Sequence, residues 1–287
     1  MRVYGQDRNW TVPPRTSDDD TCHRGVASPE IAVRQPSSLF ERRSSLPRVQ
    51  RVSFDRPIYW LRAGLDDLFA NPLPSIAYGL LFSIGGDLIL LASLEEPHLF
   101  MAALSVFFLL APVLAAGLYE LSRQRAAGRR PTFIDSVAGL QRSTISLALF
   151  GLVLAIAALF WEQATALTFA LVADLEVGFA PFLEILTSEA HRPLMLAWLA
   201  GGACLALMVF AASIVTAPLI LDRETDFTTA TLTSLRVFAA NPEAMLLWAA
   251  TIAALILISF ATLMVGLVFT MPVLAHATWH AYQELVK

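Results

Sequence analysis

Leu109-Leu110-Ala111-Pro112-Val113-Leu114, Val215-Thr216-Ala217-Pro218-Leu219-Ile220 and Phe269-Thr270-Met271-Pro272-Val273-Leu274 share one pattern. Each sets a proline in the second half of a long apolar run and is followed within about eight residues by polar or ionisable side chains. Inside a helix in water a proline costs about 3 kcal/mol. In a bilayer, neighbouring helices can satisfy the backbone groups it frees. Three such contexts point to an all-α, polytopic membrane protein built from a repeat, with Pro112, Pro218 and Pro272 at equivalent places.

Composition agrees. The 287 residues are 56% hydrophobic and 15% charged, with mean hydropathy +0.60. A soluble domain is about 25% charged. Ten of the 20 basic residues fall within 1–56. The net charge of −4 leaves no footprint for nucleic acid. Two cysteines, Cys22 in a polar tail and Cys204 in an apolar run, exclude a disulfide framework. Of the basic residues 19 are arginine and one is lysine, a bias that suits a high-GC bacterial genome. Residues 1–50 carry Asp18-Asp19-Asp20, scattered arginines, prolines and serines, and read as a disordered cytosolic tail.

A spanning helix needs about 20 mostly apolar residues. Windows near 74–94, 98–119, 144–161 and 194–221 qualify, and 244–282 is long enough for two spans, 244–262 and 263–282, joined by a tight turn near Ala261–Met264. That makes six spans in three hairpins. Residues 164–187 hold Asp174, Glu176, Pro181 and Glu184 and are expected to lie on the outer face without crossing. The reason is parity. Arg123, Arg125, Arg129, Arg130 and Arg142 keep one loop cytoplasmic, and Arg223 and Arg236 point the same way for the next. An even number of spans must separate the two loops, and spans three and four supply it. Both termini then face the cytoplasm.

A short amphipathic stretch precedes each hairpin. In the first, Trp60, Leu61, Gly64, Leu65, Leu68 and Phe69 share a face, with Arg62 and Asp66 opposite. The second is Phe133, Val137 and Leu140, and the third Phe227, Leu235 and Phe238. The first and third end alike, in Asn71-Pro72 and Asn241-Pro242, which suits an asparagine cap followed by proline in the first turn.

Asp87 is the one acid well inside a span, on a face with Gly79 and Ser83, and is either a proton or substrate site in the bundle or an acid near its helix end reaching headgroups. His276 and His280 are four apart and share a helical face that could ligate a metal or haem. The plainer reading is a helix end at the interface, where His, Trp and Tyr are common. Positions four and eight after each proline are Ala116 and Glu120, Asp222 and Asp226, then His276 and His280. If the return spans pack together, these side chains meet at the cytoplasmic mouth as a divalent-metal site, a proton relay or a salt-bridge knot with Arg123 and Arg223.

From residue 57 onward the chain resembles a bacterial family of predicted integral membrane proteins, domain of unknown function 2189. The likeness rests on Pro57-Ile58-Tyr59-Trp60-Leu61-Arg62-Ala63-Gly64, on Pro74-Ser75-Ile76-Ala77-Tyr78-Gly79 and on Pro112 through Gly117-Leu118-Tyr119-Glu120-Leu121-Ser122-Arg123. It continues in Leu221-Asp222-Arg223-Glu224-Thr225-Asp226-Phe227 and His276-Ala277-Thr278-Trp279-His280-Ala281-Tyr282. The resemblance implies an inner-membrane location and no established activity.

The sequence carries no nucleophile elbow, phosphate loop, zincin motif or dinucleotide fingerprint. The expected role is therefore non-enzymatic: a scaffold, assembly factor or regulatory protein working through its cytosolic surface helices, with the bilayer and a membrane or cytosolic protein as partners and no cofactor. The rivals are a small-solute or ion transporter using Asp87 and a metal- or haem-binding protein using His276 and His280.

Overall fold

The computed structural model describes residues 46–92, 115–140, 144–170 and 189–287, with Phe107, Ala111 and Val113. Pro112, most of the expected second span, Arg142, residues 171–187 and residues 1–45 lie outside the described residues. Leu46–Lys287 is one compact unit.

Among the described residues the helices are α1 (Arg56–Ala70), α2 (Pro72–Ala92), α3 (Ala116–Ala126), α4 (Phe133–Leu140), α5 (Thr144–Ala170), α6 (Arg192–Ser213), α7 (Thr216–Arg223), α8 (Phe227–Ala240), α9 (Pro242–Ala261) and α10 (Leu267–Leu285). A short helix precedes a long one three times, as α1–α2, α4–α5 and α8–α9. Among the described residues four stretches are long and apolar enough to cross a membrane: Pro72–Ile89, Ile145–Thr168, Arg192–Arg223 and Pro242–Ala261. The expected sixth span, 263–282, is not among them. Its helix α10 carries His276, Thr278, His280, Gln283 and Glu284, and twelve of its 19 residues are buried by protein. It is the core of the bundle, packed on α1, α2 and α3.

Several boundaries move. The third long helix runs on through Glu162 to Ala170, so 164–170 belongs to α5 rather than to a separate outer segment; Thr168 bonds back to the Ala164 carbonyl, as in any helix interior. Residues 46–50, expected in the tail, join the fold. Val49 bridges Val286, and Gln50 donates its backbone N–H to the Leu285 carbonyl at 2.8 Å.

The two described prolines behave differently. Near Pro218 the helix breaks: α6 ends at Ser213 and α7 begins at Thr216. Pro272 sits inside an unbroken α10, where its missing N–H orphans the Val268 carbonyl. Gly79 of α2 packs its backbone directly on that carbonyl, so close that a Cβ would overlap it. The turn between α9 and α10 falls where the sequence placed it, with Leu263 at φ 49° and Met264 at φ 63°. Its strained backbone is held by Thr262 Oγ1, which accepts the Gly266 N–H, and by a 2.7 Å Ser259–Thr270 hydroxyl pair.

Asn241 does not cap as expected. It makes no side-chain cap; its Oδ1 accepts the Val52 N–H at 2.8 Å and its Nδ2 donates to the Gln50 carbonyl. Asn71 Nδ2 donates to the Pro131 carbonyl at 2.8 Å. Each therefore ties a short–long helix junction to the chain just before another short helix. The faces of the short helices are also rotated from expectation. In α1 the buried residues are Pro57, Trp60, Gly64, Asp67 and Leu68, while Leu65 and Phe69 point outward. In α4 Ser136 is buried, with Phe133 and Val137 exposed. In α8 Ala230, Thr233, Ser234 and Val237 turn inward and Leu235 outward. For α1, close approach to the core helix is the reason: at Gly64 a Cβ would sit 2.5 Å from the Val273 carbonyl oxygen and 2.7 Å from the Ala277 nitrogen.

Candidate functional site

The two histidines do meet an acid, but it is Asp67. Stripe spacing explains its place: Trp60, Gly64, Asp67 and Asn71 recur every three or four residues along the face of α1 that lies on α10. Its carboxylate is buried at 5% exposure and fully partnered. His280 Nε2 lies 3.1 Å from Oδ2, Ser122 Oγ donates to the same oxygen, and Arg125 forms an ion pair with Oδ1. His276, 1% exposed, bonds Ser122 Oγ through Nδ1 at 2.7 Å and Ser75 Oγ through Nε2 at 2.9 Å. Ser75 in turn donates to the Asn71 carbonyl. One knot thus joins α1, α2, α3 and α10. Burial by itself would raise the Asp67 pKa. Hydrogen bonds from His280 and Ser122, with the charges of His276 and His280, outweigh it and hold the carboxyl below the ordinary carboxylate range.

Proton accounting shows what this arrangement can do. Each serine has one hydroxyl proton and two neighbours able to accept it. With Ser75 donating to Asn71, His276 must donate from Nε2. Ser122 then gives its proton either to His276 Nδ1 or to Asp67, and in the second case His276 carries protons on both nitrogens. Along the line Asp67–Ser122–His276 the two states differ by one proton: the second is the first with a proton added at His276 Nδ1 and the Ser122 hydroxyl turned to Asp67. The line starts at His280, whose side chain is 33% exposed.

The other expected members of the mouth cluster pair elsewhere. Glu120, fully buried, accepts from Arg123 Nε and Nη2 and from Gln124 Nε2, each at 2.7 Å. Asp222 accepts from the Tyr282 hydroxyl at 2.6 Å, and Arg223 reaches the same oxygen and the Val286 carbonyl. Asp226 caps α8 through the Thr229 N–H, which holds its carboxyl below the ordinary range. Arg123 also feels the charges of Asp222 and Glu224, so these groups lie near one another, while the acid bonded at the histidines is Asp67. The arginine at the histidine site is Arg125, where Arg123 or Arg223 was expected. Among the described residues no group of three or more His, Cys, Asp or Glu side chains is placed to hold a metal ion. Asp87 is half-buried on α2, while Ser83 on its face is buried and Gly79 lies against α10.

A cavity of about 600 Å³ lies between α6, α9 and α10, lined mainly by apolar side chains such as Ala203, Ala206, Phe210, Trp248, Ala253 and Leu274. Asp87 is not among its lining residues. Asp67, Ser75, Ser122 and Arg125 were missed from sequence. The one available signal was Asp67 standing in register with Trp60 and Gly64 beside the Asn71-Pro72 stop.

No curated protein and no solved structure matches the chain. A family model described as "Predicted integral membrane protein (DUF2189)" matches residues 99–222. The matched part is narrower than the resemblance over 57–287 and leaves the Pro57–Gly64 and His276–Tyr282 motifs outside it. The match takes in 124 of the 287 residues, and over that stretch the chain is similar to this family of predicted integral membrane proteins of unknown function.

Proposed function

We propose that the chain is a non-enzymatic scaffold, assembly or regulatory protein of a bacterial cytoplasmic membrane, with both termini and the Asp67 knot on the cytoplasmic side. The observation that supports this reading is the closed, cross-braced end of the bundle. There α1, α2, α3 and α10 are locked by a buried network in which each polar group of Asp67 and His276 is partnered. A transporter would need a polar path opening to one side and then the other, and the described cavity is apolar and does not include Asp87. Arginine-rich loops at the knot end support the cytoplasmic orientation through the positive-inside rule.

The test is chemical cross-linking in native membranes followed by purification of the tagged full chain. A scaffold returns one protein partner at fixed stoichiometry. Uptake of an ion or solute into proteoliposomes, abolished by Asp87→Asn, would replace this reading with transport. Stoichiometric metal or haem in the purified protein, lost on His280→Ala, would replace it with a metal or haem protein.

A further inference from the structure

The three short helices bury small and polar residues while leaving large apolar ones exposed. Inward α1 presents Gly64 and Asp67 beside Trp60 and Leu68, α4 presents Ser136, and α8 presents Thr233 and Ser234 beside Ala230 and Val237. Outward each keeps large apolar side chains of its own. Phe69 is 75% exposed and Ile134 77%, with Leu65, Val137, Leu232 and Leu235 also exposed. In water this arrangement forgoes the stabilisation that burying each large apolar side chain would bring. Membrane helices pack in this sense, small residues against protein and large ones towards lipid.

Two further observations identify the medium. Each short helix runs within four residues into a helix able to cross a membrane, and the junction itself is apolar and open: Leu73, in the first turn of α2, is 85% exposed. Exposed arginines flank the same faces, Arg62 on α1, Arg129 and Arg130 before α4, and Arg236 on α8. Guanidinium groups one turn from outward Leu and Phe match the boundary between acyl chains and phosphates. The asparagine clasps to Pro131 and to Gln50 bring all three helices to one end of the bundle.

We infer that α1, α4 and α8 form a collar embedded in one leaflet of the bilayer, their outer faces in contact with phospholipid at the headgroup–acyl boundary. The collar surrounds the end that the Asp67 knot closes, so α1 joins the leaflet to the core helix: lipid on one face, Asp67 and Gly64 against α10 on the other.

Single cysteines at Phe69, Ile134 and Leu235, in the full chain with Cys22→Ser and Cys204→Ser, carry nitroxide labels in phosphatidylcholine–phosphatidylglycerol vesicles. Cysteines at Leu257 and Glu224 give the lipid and water references. Oxygen collides more than the nickel chelate with the label at Leu257 and less at Glu224. The collar positions should fall with Leu257, at shallower depth. Preferred access to nickel would overturn the proposal in favour of a water-facing surface. Exclusion of both reagents would overturn it in favour of a protein partner or a second copy on these faces. Leu65, Val137 and Leu232 stand in for any position whose variant folds poorly.

Discussion

Two helices joined by a five-residue turn, α9 and α10, stand in opposite relation to their own hydropathy. In α9 nearly every residue is apolar, yet four of its 20 residues are buried by protein. In α10, which carries two histidines, a glutamate and a glutamine, twelve of 19 are buried. In a soluble protein the more apolar helix would be the core. Here lipid takes the place of the core for α9, and the polar helix goes to the centre because only protein can satisfy its side chains. His276 and Tyr282 of α10 are buried with their polar atoms bonded, and apolar residues of the same helix pack around them. A helix's place in this fold therefore depends on the polar groups it must satisfy as well as on its apolarity.

The sharpest break of that comparison is at Asp67. Asp67→Ala leaves His280, Ser122 and Arg125 without their shared acceptor, and removing one partner of a buried ion pair costs about 3–5 kcal/mol. The control is Leu257→Ala on the lipid face of α9, 67% exposed, expected within about 0.5 kcal/mol of wild type. Thermal unfolding in detergent checks both. Equal shifts in melting temperature would mean that the knot is no more structural than the lipid surface.

Glycines extend the contrast. A Cβ on Gly79 would lie 2.6 Å from the Val268 carbonyl carbon, with no flexible side chain able to yield. Gly79→Ala should therefore cost about 1–3 kcal/mol by forcing α2 off α10. Gly201 on α6 has nothing within 4 Å, so Gly201→Ala should gain up to about 1 kcal/mol from helix propensity. Between these in kind is Asn241→Ala, which frees residues 50–52 from the α8–α9 junction and should cost about 1–3 kcal/mol. Hydrogen exchange confined to 46–53 reads that loss directly; unchanged protection there would mean that the pairing with Leu285–Lys287 suffices alone.

How much of this was legible follows from the same physics. The helical membrane class, the α9–α10 turn and the short helix before each long one could be read because apolar runs and Asn-Pro stops are local signals. The number of spans could not. The α10 run passes for a span by length, and only its packing shows that protein surrounds it. The site was half legible. His276 and His280 were found by spacing, but Asp67 belongs to a helix about 210 residues away in sequence, and a charged residue next to Asp66 reads as surface unless the Gly64 contact is known. The histidines bond Asp67 and the serines, while Glu120, Asp222 and Asp226 bond an arginine, a tyrosine and a helix N-terminus nearer to hand.

The smallest effect expected is a dependence on acid. Asp67 has a folded-state pKa lowered from 3.8, with burial opposing and His280, Ser122 and His276 prevailing. A carboxylate with a depressed folded pKa binds its proton more weakly folded than unfolded. Its contribution is therefore complete above the unfolded value and disappears as pH falls through the folded one. Between pH 7 and about pH 5 this residue makes stability flat, and the loss is confined to pH below about 4. Asp67→Asn removes the titration while keeping the shape and one acceptor. It should be less stable than wild type at pH 7, and the gap should narrow as pH drops below about 4, where the wild-type carboxyl is protonated as well. Detergent-solubilised protein, unfolded by heat across pH 3 to 7, gives the two curves. A gap that stays constant over that range would show that Asp67 is held by shape and not by its charge, and would remove the electrostatic part of the knot.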